Sequence, residues 1–260
     1  MNDPNPFDSP HGQPTEPEPK KWWQPTVVEW FVIAGIILVL VGLLLPSRTH
    51  SYGGGRRSWT SNNLKNIGLA LHNYHDTYGS LPPVVVTDSE GRPLYSWRVL
   101  LLPFLEQKGL YDQFDLSLPW DSETNRPLAE MVPSLFESPY LDTETYPGMT
   151  TYLAVVDSQG KQTIMLPQEG RSFDEVPCEL GRVAMVVERI EHPVIWTKPG
   201  DITPFELIDA AKIEQNDLSY FPVLLGDGAV QWMPKDDPKQ LKECLLCPEL
   251  GGAEQATARE

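Results

Sequence analysis

An apolar run opens at Val27 and closes at Leu45, broken only by Glu29, Gly35 and Gly42 among residues that are otherwise large and apolar or alanine. As a helix rising about 1.5 Å per residue it measures roughly 28 Å, close to the thickness of a bilayer core. Trp22 and Trp23 stand just before it, where an interfacial aromatic belt belongs, and Pro46 and Arg48 mark the exit. A cleaved secretory signal fits poorly. The polar stretch before the run is long, the run exceeds a usual signal core, and no small-x-small site follows Leu45. A buried soluble helix would keep a polar face, whereas this one is apolar all round after Glu29. The reading is a transmembrane helix over 25–46, with the lipid bilayer as its partner. Lys20 and Lys21 before the run nearly balance Arg48, Arg56 and Arg57 after it, so the charge rule leaves the orientation open.

On either side the composition changes abruptly. Residues 1–24 are polar and rich in proline, and cannot bury enough surface to offset their ordering entropy, which predicts a disordered tail. Two of the 20 basic and five of the 36 acidic residues precede Ser47, so the remainder carries a net of −13. A domain this acidic repels phosphate backbones, which argues against nucleic acid as a partner. Three cysteines, Cys178, Cys244 and Cys247, are too few and odd in number for a disulfide framework. Cys244-Leu-Leu-Cys247 is a lone CxxC with neither a second pair nor a nearby histidine. It reads as two thiols at a C-terminal helix rather than as a redox or metal half-site.

After a glycine-rich linker over 47–60, which contains Gly53, Gly54 and Gly55, a helix is predicted from about Ser61 to Tyr78. Leu64, Ile67, Leu71, Tyr74 and Tyr78 recur at three- and four-residue spacing and form one stripe. Ser61 or Asn62 can cap its start, and Gly79 before Pro82 and Pro83 ends it. A second helical pattern runs from Ser96 to about Phe114, interrupted at Pro103 and Gly109. Apolar runs at 151–156, 183–187, 194–196, 223–225 and 230–233 read as strands of a mostly antiparallel sheet. Gly226-Asp227-Gly228 has the chemistry of a hairpin turn. The globular domain extends over 61–250, and 251–260 is a polar tail.

The stretch Asn62-Asn63-Leu64-Lys65-Asn66-Ile67-Gly68-Leu69-Ala70-Leu71-His72-Asn73-Tyr74-His75-Asp76, continuing through Gly79 to Pro83, closely resembles the signature of a large planctomycete family. That family is known as domain of unknown function 1559 and is sometimes catalogued as solute-binding-like. Ser96-Trp97-Arg98-Val99, Leu105-Glu106-Gln107 and Leu110-Tyr111-Asp112-Gln113-Phe114 are similar to its second block. Trp196-Thr197-Lys198-Pro199 and Gly226-Asp227-Gly228-Ala229-Val230 match its closing blocks. Members usually begin like type IV pilins, and Thr26-Val27-Val28-Glu29 is similar to that start. The resemblance therefore implies N-terminus inside and globular domain outside the cytoplasmic (inner) membrane. It also implies an α+β fold in which a pilin-like helix packs on the sheet. Two departures stand out. Gln24-Pro25 replaces the glycine that normally closes the leader, which argues for an uncut signal-anchor. Thr60 and Ser138 occupy places where members often carry cysteines.

Candidate chemistry is sparse. His72, His75 and Asp76 share one helix face at ligand-compatible spacing, but no further histidine-rich segment supplies the remaining ligands, and they read as the polar edge of the helix. Asp227 could be a ligand or a base, yet Asp-Gly is what a tight turn wants. Glu29, near the start of a membrane helix, either lies at the headgroups or pairs with a neighbouring subunit's amine as in pilins. No GxSxG elbow, HExxH, P-loop or GxGxxG occurs. The chain is thus not read as an enzyme, and no catalytic, cofactor or metal residue is assigned. Two functions compete: a pilin- or pseudopilin-like structural protein that self-associates or joins envelope proteins, and a membrane-tethered binding module for a solute, glycan or cation.

Overall fold

The computed structural model describes residues 26–44, 52–210, 220–235 and 245–251. The proline-rich tail, Gln24, Pro25, Leu45, Cys244 and the polar C-terminus lie outside them. The chain divides into two compact units, residues 1–50 and 51–260.

The first unit is the helix α1, Val27–Leu44. Its backbone is described to Leu44 and its side chains to Leu40. Ten large apolar side chains from Val27 to Leu40 are at least half exposed, among them Phe31 at 75% and Leu38 at 73%. Among the described residues no helix is long and apolar enough to cross a membrane. The 18 residues of α1 amount to about 27 Å, a little short of a full bilayer core. Glu29 accepts the backbone N–H of Thr26 at 2.7 Å. That is half of a capping box, with Thr26 at the N-cap and the glutamate three residues on. The carboxylate thus has a local task at the helix start.

The second unit is built on α2, Tyr52–Tyr78. This helix begins nine residues before its predicted start, so the triple glycine lies in its first turn rather than in a linker. The first four N–H groups of a helix have no internal partner, so weak helix formers cost least there. Leu64, Ile67 and Leu71 are fully buried as the stripe requires, and Tyr74 is half-buried. Tyr78 is 63% exposed and packs on Tyr74 and Phe104 at the rim instead. Gly79 closes the helix at φ +77° with its N–H on the His75 carbonyl, the left-handed cap that glycine adopts without a Cβ clash.

Next come a short antiparallel pair, β1 (Val85–Thr87) and β2 (Pro93–Ser96), then α3 (Trp97–Leu100), a 3-10 turn (Leu102–Leu105) and α4 (Lys108–Tyr111). The predicted break at Pro103 falls in that 3-10 turn. β3 (Met149–Thr150) pairs with β6 (Val194–Ile195). The principal sheet is antiparallel, ordered β4 (Tyr152–Ala154), β5 (Ala184–Glu188), β7 (Tyr220–Leu225), β8 (Val230–Pro234). Strand periodicity divides its side chains between two cores. Tyr152, Ala154, Val186 and Leu224 join the larger core under α2, while Leu153, Val155, Val187 and Val223 join a second core with Leu207 of α5 (Pro204–Ala210). Helix and sheet approach closely at Gly68, where a Cβ would meet Leu224 Cδ1 at 2.8 Å. The fold is α+β, with a helix on an antiparallel sheet as expected.

Candidate functional site

An open groove of about 300 Å³ lies beside α2. Its walls come from Asn66 and Leu69 of the helix, from the turn 104–107, and from the loop 133–135. Leu69 is 61% exposed although the stripe beside it is buried. The turn is held by two N–H groups, those of Glu106 and Gln107, which both donate to the Leu102 carbonyl. This puts Glu106 at φ +59°, the only positive φ outside glycine among the described residues. Such a conformation costs a non-glycine residue on the order of 1–3 kcal/mol and collects at functional sites. The side chains of Asn66, Glu106, Gln107 and Ser134 hydrogen-bond to no other described residue.

Beneath the helix two polar groups are buried with their partners. Glu188 of β5, 3% exposed, accepts hydroxyl protons from Thr60 at 2.9 Å, Ser138 at 2.5 Å and Thr151 at 3.2 Å. Burial pushes its carboxyl above the usual range, and the hydroxyls pull part of the way back. Thr60 and Ser138, the two positions where the resemblance had suggested cysteines in relatives, are thus joined through one carboxylate. Arg98 of α3 is fully buried and donates to Asp201 at 2.7 Å, to Ser96 Oγ at 2.7 Å and twice to the Tyr152 carbonyl. Asp201 also accepts the Ala154 N–H at 2.7 Å and the Trp97 indole N–H at 3.1 Å. Burial pushes the Asp201 carboxyl up and the Arg98 guanidinium down. All three of these bonds to Asp201 end on Oδ1, and Oδ2 is buried without a hydrogen-bond partner among the described residues, so the pair is held through one carboxylate oxygen.

The helix histidines turn inward to one aromatic ring. His72 stacks on Phe173 at 4.7 Å between centroids and His75 tilts on it at 4.4 Å. His75 Nε2 accepts the Phe173 N–H at 3.2 Å, which occupies that nitrogen as an acceptor. Asp76 is largely exposed. Asp227 accepts the Ala229 N–H within the hairpin, and Gly228 follows at φ +85°; this is turn chemistry, as the dipeptide predicts. Among the described residues, the one group of potential metal ligands whose donor atoms converge is Cys178, Cys247 and Glu249.

Two of those three are already joined. Cys178 and Cys247 form a disulfide, with Cα atoms 5.8 Å apart across 69 residues. This corrects the reading of Cys247 as a free thiol beside Cys244, which lies outside the described residues. Glu249 Oε2 sits 2.8 Å from Cys178 Sγ, but a disulfide sulfur carries no proton, so the approach is a contact and not a hydrogen bond. Spacing could not have found the pair, because any two of three cysteines were open to join.

Residues 54–172 match a family model described as a protein of unknown function (DUF1559). The entire groove lies within that segment, whereas Glu188, Asp201 and the disulfide lie wholly or partly outside it. No curated protein and no solved structure matches the chain.

Proposed function

Taking as premise that the chain carries the DUF1559 family domain over 54–172, we propose that it is a single-pass membrane protein displaying this domain outside the cytoplasmic membrane as a pilin- or pseudopilin-like structural or envelope-assembly component without a catalytic centre. The observation that carries the reading is α1: ten large apolar side chains on one helix stand at least half exposed. In water each would forgo roughly 1.5–3 kcal/mol of burial. Lipid is the solvent in which such a surface is at rest, and Leu45 extends the run beyond Leu44. The Cys178–Cys247 disulfide supports the outward placement, since such bonds persist in oxidising compartments and are rare in the cytosol.

Alkaline carbonate washing tests the anchor: the full chain should stay with the membrane, and its recovery in the wash overturns the proposal. An impermeant maleimide, added with reductant to cells with an intact inner membrane, tests the topology; labelling only after that membrane is broken reverses it. Crosslinking of the membrane form tests the assembly role, which requires a second copy or an envelope protein as the main adduct.

A second reading, a tethered binding module, is favoured by the groove, whose four polar side chains are engaged with nothing else described.

A further inference from the structure

We infer that the groove beside α2 is a binding site for a neutral pyranose, one ring or a short oligosaccharide; this rests on the binding-module reading and gives it a ligand class.

Charge comes first. Glu106 is the only ionisable side chain in the lining and no cation accompanies it. A phosphate or carboxylate ligand would meet like charge with no counter-charge. Backbone comes next. The walls are a helix, a turn and a loop, so no strand edge is available to which an extended peptide could add. Size is the third limit. About 300 Å³ is at the lower end of small-molecule sites, which excludes the long trench an amphipathic helix needs.

The lining, one carboxylate and three neutral polar residues among Leu69, Phe104, Leu105, Pro133 and Leu135, fits a small ligand that is polar around its edge and apolar on its faces. Asn66 and Gln107 each offer an amide with both donors and an acceptor, Ser134 a hydroxyl that does either, and Glu106 acceptors only. Sugar hydroxyls donate and accept in the same alternation. Leu69 and Phe104 belong to the same lining. The Phe104 ring meets Tyr74 and Tyr78 in edge geometries at 5.6 and 6.1 Å, so no ring stacks face to face on it there. An aliphatic and an aromatic surface suit the C–H face of a pyranose. The left-handed backbone at Glu106 sets the path of the turn before any ligand arrives, which lowers the backbone's share of the ordering cost of binding.

The test uses the full chain in detergent micelles and saturation-transfer NMR, with cellobiose, maltose and N,N′-diacetylchitobiose as probes. Glucuronic acid is compared with glucose, and putrescine and triglycine stand for a cation and a peptide. At least one neutral disaccharide should bind below about 10 mM. Asn66→Ala or Gln107→Ala should weaken it about tenfold, the effect of one lost hydrogen bond. Both residues are exposed, so thermal melting should not change and a folding defect cannot mimic the result. Glucuronic acid should bind more weakly than glucose, and Glu106→Gln should close that gap. Sugar binding indifferent to Asn66→Ala and Gln107→Ala, or equal binding of glucose and glucuronic acid, overturns the proposal. Binding of triglycine or putrescine alone, lost in Asn66→Ala, overturns the sugar class and keeps the binding module. Silence from every probe removes both.

Discussion

Removing the Arg98–Asp201 pair entirely should cost less than the sum of breaking it from either side. In Arg98→Met the Asp201 carboxylate stays fully enclosed, with only the Ala154 N–H and the Trp97 indole N–H left to solvate it. The Tyr152 carbonyl loses both of its guanidinium donors at 3.0 and 2.7 Å. An uncompensated buried charge costs about 3–5 kcal/mol. Asp201→Leu strands the guanidinium instead and orphans the Ala154 N–H, for a similar loss. The double variant carries no stranded charge, and its remaining penalty is the unpaired Tyr152 carbonyl, Ala154 N–H and Trp97 indole N–H, about 1–3 kcal/mol each. The two single losses together, about 6–10 kcal/mol, should therefore exceed the double, about 3–9 kcal/mol, by about 2 kcal/mol, above the few tenths at which independent sites add. Urea denaturation of the four proteins, compared at constant m-value, reads this directly. Single variants that cost under about 1 kcal/mol, or a double equal to the sum of the singles, would refute the argument that these charges live on each other.

Glu188→Gln should flatten the pH dependence of stability. The raised folded pKa means that the folded state holds the Glu188 proton more tightly; stability from this site is therefore full below the unfolded value of about 4.3 and declines as pH rises toward the folded one. Melting curves from pH 4 upward check it, and an unchanged slope in the variant sinks it. Reducing the Cys178–Cys247 bond, or Cys247→Ser, should cost up to about 4 kcal/mol from the closure of a 69-residue separation, seen as a lower denaturation midpoint with dithiothreitol; no shift would mean that the bond is not formed. Leu71→Ala should cost about 2–5 kcal/mol, while Asn73→Ala on the exposed face should stay within about 0.5; equal effects would deny the stripe its place in the core.

Local patterns were legible where one physical rule governed them. The three- and four-residue spacing of Leu64, Ile67 and Leu71 announced the buried face of α2, and the apolar runs around Val186 and Val223 announced strands. Gly226-Asp227-Gly228 announced its own turn. The rule failed at the ends. Three glycines hid the first turns of α2 because propensity is weak evidence where tertiary contacts hold the helix, here the Arg57 guanidinium over the Trp232 ring and the Thr60 bond to Glu188. Features made by distant segments were not legible. Nothing in sequence couples Arg98 to Asp201, which lie 103 positions apart, or tells Cys247 that Cys178 is within reach. The groove draws on three segments, and neither Asn66 nor Ser134 carries a mark of belonging to it.

The buried ion pair also finishes one margin of the principal sheet. β4 is an edge strand, and a bare edge is a template on which another strand can grow. Here its outward groups are already occupied. Arg98 takes the Tyr152 carbonyl, Asp201 takes the Ala154 N–H, and the backbone of Ile202 takes the Ala154 carbonyl and the Val156 N–H. Two side chains and a single residue's peptide groups impersonate the missing neighbour, so the ladder ends in the protein's own atoms. Sheet-to-sheet growth is closed along this margin, and of the two edges of the principal sheet only β8 is left to offer a strand.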